Sequence, residues 1–154
     1  MSYDVLFVAD TILKIAKTEG RALTPIELMK LTYLAHGWSL GTRGRALVRN
    51  RIEAWKHGPI LPDLYTATRG YGRDPIPLDA IDDPEDIPVD DVDYELIKGV
   101  YEKHHGLSGV ELASLANQPG SPWDVVLKAH GHDACAEISD QLIENHYRSL
   151  VGLA

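Results

Sequence analysis

Apolar residues at Val5, Val8, Ala9, Ile12, Ile15 and Ala16 recur at the spacing of one helical face, and Gly20 marks where that helix should stop. Thr24-Pro25-Ile26-Glu27 opens a second helix: threonine caps free amides, proline suits the first helical position and glutamate three residues on reaches back. This helix carries Leu28, Leu31, Leu34, Ala35 and Trp38 and ends around Gly41 or Gly44. The period then changes. An extended stretch from Ala46 to Trp55 alternates Ile52 and Ala54 with Arg51, Glu53 and Trp55, predicting a short strand that forms half of a small hairpin. Lys56 to Pro62 turns sharply, with two prolines and a glycine around two apolar residues, and a short helix follows from Pro62 to about Gly70.

In the C-terminal half, Leu96, Ile97, Val100 and Tyr101 point inward from a helix over Asp93–His104. Ser108-Gly109-Val110-Glu111 is a second capping box, for a helix ending near Asn117, and Ser121-Pro122-Trp123-Asp124 opens another. A last helix runs from about Asp140 to Leu150. The predicted fold class is mainly α: a compact, single-domain helical fold with one small β element. The 154 residues suit one domain that buries a core without metal or disulfide staples.

Charge adds a feature that the periodicity does not show. The net charge of −8 is concentrated in residues 73–93, where nine acids face the single base Arg73, while the flanking parts carry +4 and −4. That segment also holds Pro75, Pro77, Pro84 and Pro88, which oppose helix and buried strand, so it reads as an exposed acidic connection. Ile76, Leu78, Ile81, Ile87 and Val89 would tack it onto the domain, and a docking strip for a basic partner is the alternative reading. No apolar run approaches the roughly 20 residues of a membrane span, and no basic stretch precedes an apolar one at the N-terminus. Cys135 is the only cysteine. Together these features suggest a cytoplasmic protein.

Signals for chemistry are sparse. Gly37-Trp38-Ser39-Leu40-Gly41 spells the G-x-S-x-G of a nucleophile elbow, but it lies in the C-terminal half of a capped helix rather than at a strand-to-helix turn. His104-His105 and His130-Gly131-His132-Asp133-Ala134-Cys135 contain zinc-ligand types without a distant Cys or His pair at finger spacing. Histidine near a helix C-terminus is favoured by the helix dipole alone. No phosphate-binding loop or dinucleotide fingerprint is present. The reading is no enzyme, no metal and no cofactor. Arg43, Arg45, Arg49, Arg51 and Lys56 form a basic run beside the hairpin that suits a DNA contact, although no helix carries a groove-reading set and the chain is acidic.

Trp38, Trp55 and Trp123 each stand beside glycine or proline at an element boundary; they are either core or the lining of a groove for a protein partner. Three stretches around them resemble the SocA-like antitoxin family, whose shared module is the Panacea domain. They are Leu28-Met29-Lys30-Leu31-Thr32-Tyr33-Leu34-Ala35-His36-Gly37-Trp38, then Ile52-Glu53-Ala54-Trp55-Lys56-His57-Gly58-Pro59-Ile60-Leu61-Pro62, and Gly120-Ser121-Pro122-Trp123. The likeness runs from Val5 to Tyr147, and the E-A-W-x-x-G-P-x-x-P block is its most specific part.

The resemblance implies an antitoxin that binds and neutralises a cognate protein toxin encoded beside it. It leaves open an adaptor role, in which the toxin is handed to a Clp-type protease and Val151-Gly152-Leu153-Ala154 serves as a protease-read tail. Many members carry an N-terminal DNA-binding domain; here the first helix begins near the start, so DNA regulation is the lesser alternative. The candidate toxin-binding residues are Trp38, Arg51, Glu53, Trp55, Lys56, His57, Tyr65 and Trp123. Gly37, Gly58, Pro59, Pro62, Gly120 and Pro122 are expected to shape the backbone, since glycine and proline act through conformation.

Overall fold

A computed structural model describes residues 2–81 and 89–151. In chain order the elements are α1 (Val5–Thr18), α2 (Pro25–Arg43), β1 (Glu53–Trp55), β2 (Gly58–Ile60), α3 (Pro62–Thr68), a 3₁₀ turn (Arg69–Tyr71), α4 (Asp91–His104), α5 (Gly109–Ala116), α6 (Pro122–His130), β3 (Ala136–Glu137) and α7 (Asp140–Val151). The fold is mainly α, as the periodicity predicts. The predicted capping boxes form at Thr24/Glu27 and Ser108/Glu111, and Ser121 caps α6 by accepting from the Asp124 amide.

The β element is larger than predicted. Gly58–Ile60 is a strand rather than part of the turn, pairing antiparallel with β1 so that Trp55 faces Gly58 and Glu53 faces Ile60. Ala136–Glu137 adds a third strand on the other side of β1, giving the order β2-β1-β3. Two residues carry no period, so only their partner defines them as a strand.

Helix α2 is buried all round. Every residue from Leu28 to Gly41 is buried except Trp38, which is half-buried, and α1, α3, α4, α5 and α7 pack about it. The polar residues of α2 therefore find partners inside the protein. His36 Nδ1 accepts from the amides of Leu47 and Val48, both at 3.2 Å, which leaves Nε2 to donate to Asp140 Oδ1 at 2.9 Å. Ser39 Oγ donates to the Arg45 carbonyl at 2.6 Å and accepts from Arg43.

Arg43 also pairs with Asp93 at 2.8 Å, and Tyr3 donates to the same carboxylate at 2.7 Å. Burial alone would raise the Asp93 carboxyl, but the hydrogen bonds from Tyr3 and Arg43 and the Arg43 charge hold it below the ordinary value. The acidic run is therefore not exposed throughout: Asp93 is buried in α4, and Ile76 and Ile81 are buried too. Leu78, expected to tack the segment down, is exposed, and Val89 is half-buried. Ile87 lies outside the described residues. So does the C-terminal tail, except for Val151 at the end of α7.

A close approach between α2 and α7 explains the G-x-S-x-G spelling. A Cβ at Gly37 would stand 2.5 Å from Tyr147 Cε2, and one at Gly41 would stand 2.5 Å from Tyr147 Cβ and 2.7 Å from its carbonyl carbon. Gly37 and Gly41 are one helical turn apart and form a notch into which α7 presses Tyr147. At Gly41 the obstacle is backbone, which cannot turn aside. Gly41→Ala should lower stability by about 1–3 kcal/mol. Gly99→Ala, on the exposed side of α4 with nothing within 4 Å, should raise it by roughly 1 kcal/mol through helix propensity. Urea unfolding of both variants checks the opposed signs.

Candidate functional site

The β1–β2 hairpin gathers most of the candidate residues because three helices hold its backbone. Trp123 Nε1 of α6 donates to the Trp55 carbonyl at 2.6 Å. Asn117, the C-cap of α5, donates to the His57 carbonyl at 2.9 Å. Lys30 Nζ of α2 donates to the Pro59 carbonyl at 3.1 Å. Alternate carbonyls of the turn are thus fixed by side chains from α6, α5 and α2, each far away in sequence.

The tight fit needs glycine at position 58, where φ is +141° and a Cβ would lie 2.6 Å from Lys30 Nζ and 2.7 Å from Asn117 Oδ1. Pro59 is buried beside it. Pro62 and Pro122 take first-turn positions in α3 and α6, and Gly120, at φ +83°, donates its amide to Asp124 at 2.8 Å.

On the solvent side of β1 a continuous chain of contacts forms. Arg51 Nε donates to Glu53 Oε2 at 2.7 Å, and Trp55 Nε1 donates to Glu53 Oε1 at 2.8 Å. Tyr65 of α3 meets the Trp55 ring edge-on, with centroids 4.9 Å apart. Lys56 and His57 stand exposed at the tip. Arg51, Glu53, Trp55 and Tyr65 therefore form one connected patch, with Lys56 and His57 exposed at the adjoining turn and Trp123 half-buried.

Trp38 does not join them. It packs edge-on against Tyr147 at 5.1 Å, with the Lys103 ammonium 5.2 Å from its ring. The basic run is also divided: Arg43 pairs with Asp93, Arg51 with Glu53 and Glu137, and Arg49 donates to the Ser2 carbonyl.

Beside the hairpin, between the first turns of α2 and helix α3, lies a cavity of about 330 Å³. Met29, Lys30 and Thr68 are its buried lining; Ile26, Ile60 and Tyr65 are more exposed. His57 and Arg69 also line it. Lys30 is only 2 % exposed, and among the described residues no carboxylate lies within ion-pair distance of it. Burial pushes its ammonium down to about 8. Next to it, Asn117 Oδ1 is buried with no hydrogen-bond partner.

Periodicity missed Lys30, Met29 and Asn117. A signal was available in the charge pattern: between Glu27 and Arg43 the only Lys, Arg, Asp or Glu is Lys30. Such a helix has no polar face to turn to water, so its one lysine is drawn inside. The His104-His105 pair has other partners. His104 Nδ1 bonds the Val100 carbonyl, and His105 stacks on Tyr101. Among the described residues, no three His, Cys, Asp or Glu side chains gather in a way that could hold a metal ion.

A buried ammonium without a counter-ion weakens the fold. Because Lys30 holds its proton less readily in the folded chain, this penalty is full below about pH 8. It fades as the pH rises from there toward the ordinary lysine value of 10.5. Lys30→Met should therefore be at least as stable as the natural protein at pH 7, with a gain on the order of 1 kcal/mol after loss of the Pro59 hydrogen bond. The gap should narrow between pH 8 and 10.5. Thermal melts across that range check it, and a loss of more than about 2 kcal/mol at pH 7 contradicts it.

Comparison with known proteins bears on the same elements. The family model described as "Antitoxin SocA-like, Panacea domain" matches residues 28–124, from α2 through the hairpin to the opening of α6. Antitoxin SocA of Caulobacter vibrioides (strain NA1000 / CB15N) is 31% identical over 159 aligned positions, covering 96% of this chain and 84% of that protein. No solved structure matches the chain. Among the described residues no helix is long and apolar enough to cross a membrane. With the resemblance of its three motif stretches matched in this way, the chain belongs to the SocA-like antitoxin family and carries its Panacea domain.

Proposed function

We propose that this antitoxin neutralises a cognate protein toxin by direct contact, through the face built on the β1–β2 hairpin and α3. The observation that carries the reading is the pairing of Trp55 with the exposed ring of Tyr65 above a braced backbone. Large aromatics held rigidly at a surface lose little entropy on binding, which is why tryptophan, tyrosine and arginine dominate interface energetics. Arg51 and Glu53 extend the patch with a charged rim, and Lys56 and His57 offer exposed hydrogen-bond donors at the tip. A DNA-reading role is less favoured, because Arg43 and Arg51 already have carboxylate partners.

The test is co-expression of the tagged chain with the product of the adjacent gene. Direct neutralisation predicts a stoichiometric complex that survives gel filtration and in which the toxin is inactive. Separate elution with a fully active toxin contradicts it. Protease subunits in the same eluate, with toxin loss that depends on them, would favour delivery for degradation over sequestration. Within the complex, Tyr65→Ala should weaken affinity by roughly 30-fold, the loss of a hot-spot side chain. Its melting temperature should stay close to that of the natural protein, because the Tyr65 side chain is partly in solvent. Calorimetric titration and a thermal melt of the same sample separate the two effects.

A further inference from the structure

We infer that the cavity between α2, the hairpin and α3 captures the free C-terminal carboxylate of an apolar residue on the protein partner, with Lys30 as its charge partner. This rests on the reading of the hairpin face as the toxin contact and specifies what that face recognises.

The cavity combines two features that are rarely found together. Its walls are mainly apolar, with Met29 inside and Ile26, Ile60 and Tyr65 toward solvent. Ile26 is 46 % exposed, a large apolar side chain left uncovered at the start of a buried helix. Yet the lining includes Lys30, only 2 % exposed, whose ammonium among the described residues bonds the Pro59 carbonyl and has no carboxylate within ion-pair distance. A lysine ammonium has three donors, and the Pro59 carbonyl takes one of them. Keeping an unpaired charge there destabilises the chain at neutral pH, and an arriving anion would offset that cost. The remaining cation of the lining, Arg69 at the C-terminal end of α3, adds to the same sign of potential, and no lining residue is acidic.

The occupant must therefore bring apolar surface and a negative charge within a few ångströms of each other. An internal Asp or Glu brings the charge on a short stem and leaves Ile26, Met29 and Ile60 uncovered. A C-terminal residue with a large apolar side chain carries both groups on one Cα, which suits a site with one buried charge and apolar walls. A bound carboxylate would also favour the charged form of Lys30, relieving the burial that now opposes it.

The experiment uses the isotopically labelled full chain without any toxin, so it does not depend on the toxin-binding reading. N-acetyl-Leu-Phe as the free acid is titrated in, with amide shifts of residues 26–30, 57–60 and 65–72 followed by NMR. The same dipeptide as its C-terminal amide, and N-acetyl-Leu-Glu-Phe-amide, which has only an internal carboxylate, serve as the two comparisons. The inference predicts saturable shifts at the cavity for the free acid and binding roughly tenfold weaker or worse for both others. Lys30→Met should abolish the preference for the free acid while its spectrum stays dispersed. The natural chain alone decides the matter should that variant not fold. Equal binding of acid and amide, or no shift at the cavity, overturns the inference and leaves the toxin contact through Tyr65 intact. Equal binding of the internal glutamate peptide overturns it in favour of an acidic side chain.

Discussion

The constraint on which the structure depends is that helix α2 has no solvent face along most of its length. A buried polar group must be bonded within the protein, since leaving one unmade costs about 1–3 kcal/mol. Lys30, His36 and Ser39 therefore each reach out of the helix to backbone groups that lack a regular partner: the Pro59 carbonyl, the Leu47 and Val48 amides, and the Arg45 carbonyl. Arg43 continues the pattern at the C-terminal end by pairing with Asp93 of α4. Helix α2 thus sets the positions of the loops around it as well as filling the core. Its glycines set how closely α7 can lie, because Gly37 and Gly41 admit Tyr147 where any Cβ would collide.

This arrangement explains how a hairpin of two three-residue strands is held in one conformation. Strands this short are marginal by themselves. Here the carbonyls at 55, 57 and 59 are taken by Trp123, Asn117 and Lys30, so the turn is held by the protein interior. With its backbone fixed from behind, the hairpin can present Trp55 against Tyr65 and leave Lys56 and His57 in solvent. The antitoxin family supplies the biological setting, and the buried charge of Lys30, with no carboxylate within ion-pair distance among the described residues, marks a place beside the hairpin where the fold carries a cost.

Helix positions were legible in the sequence because their signals are local. Thr24-Pro25-Ile26-Glu27 and Ser108-Gly109-Val110-Glu111 state the caps within four residues, and the structure begins α2 and α5 there. What was not legible depends on contacts across the chain. Ala136–Glu137 is a strand only because β1 lies beside it, and Gly58–Ile60 looked like a turn because its proline and glycine mask its pairing. Trp38 was grouped with the hairpin tryptophans by residue type, whereas helical geometry carries it to Tyr147 and Lys103. Asp93 was counted with an exposed acidic run, and it is buried because Tyr3 and Arg43 converge on it from elements far apart in sequence.

The central claim is that the proposed toxin contact is made by the hairpin and α3, braced by α2, rather than by α7. Hydrogen–deuterium exchange of the antitoxin alone and in complex tests it directly. The account predicts that amides in residues 55–72 gain protection on binding, while those of 140–151 exchange at unchanged rates. Protection confined to α4 and α7, with the hairpin and α3 exchanging as they do in the free chain, would contradict it.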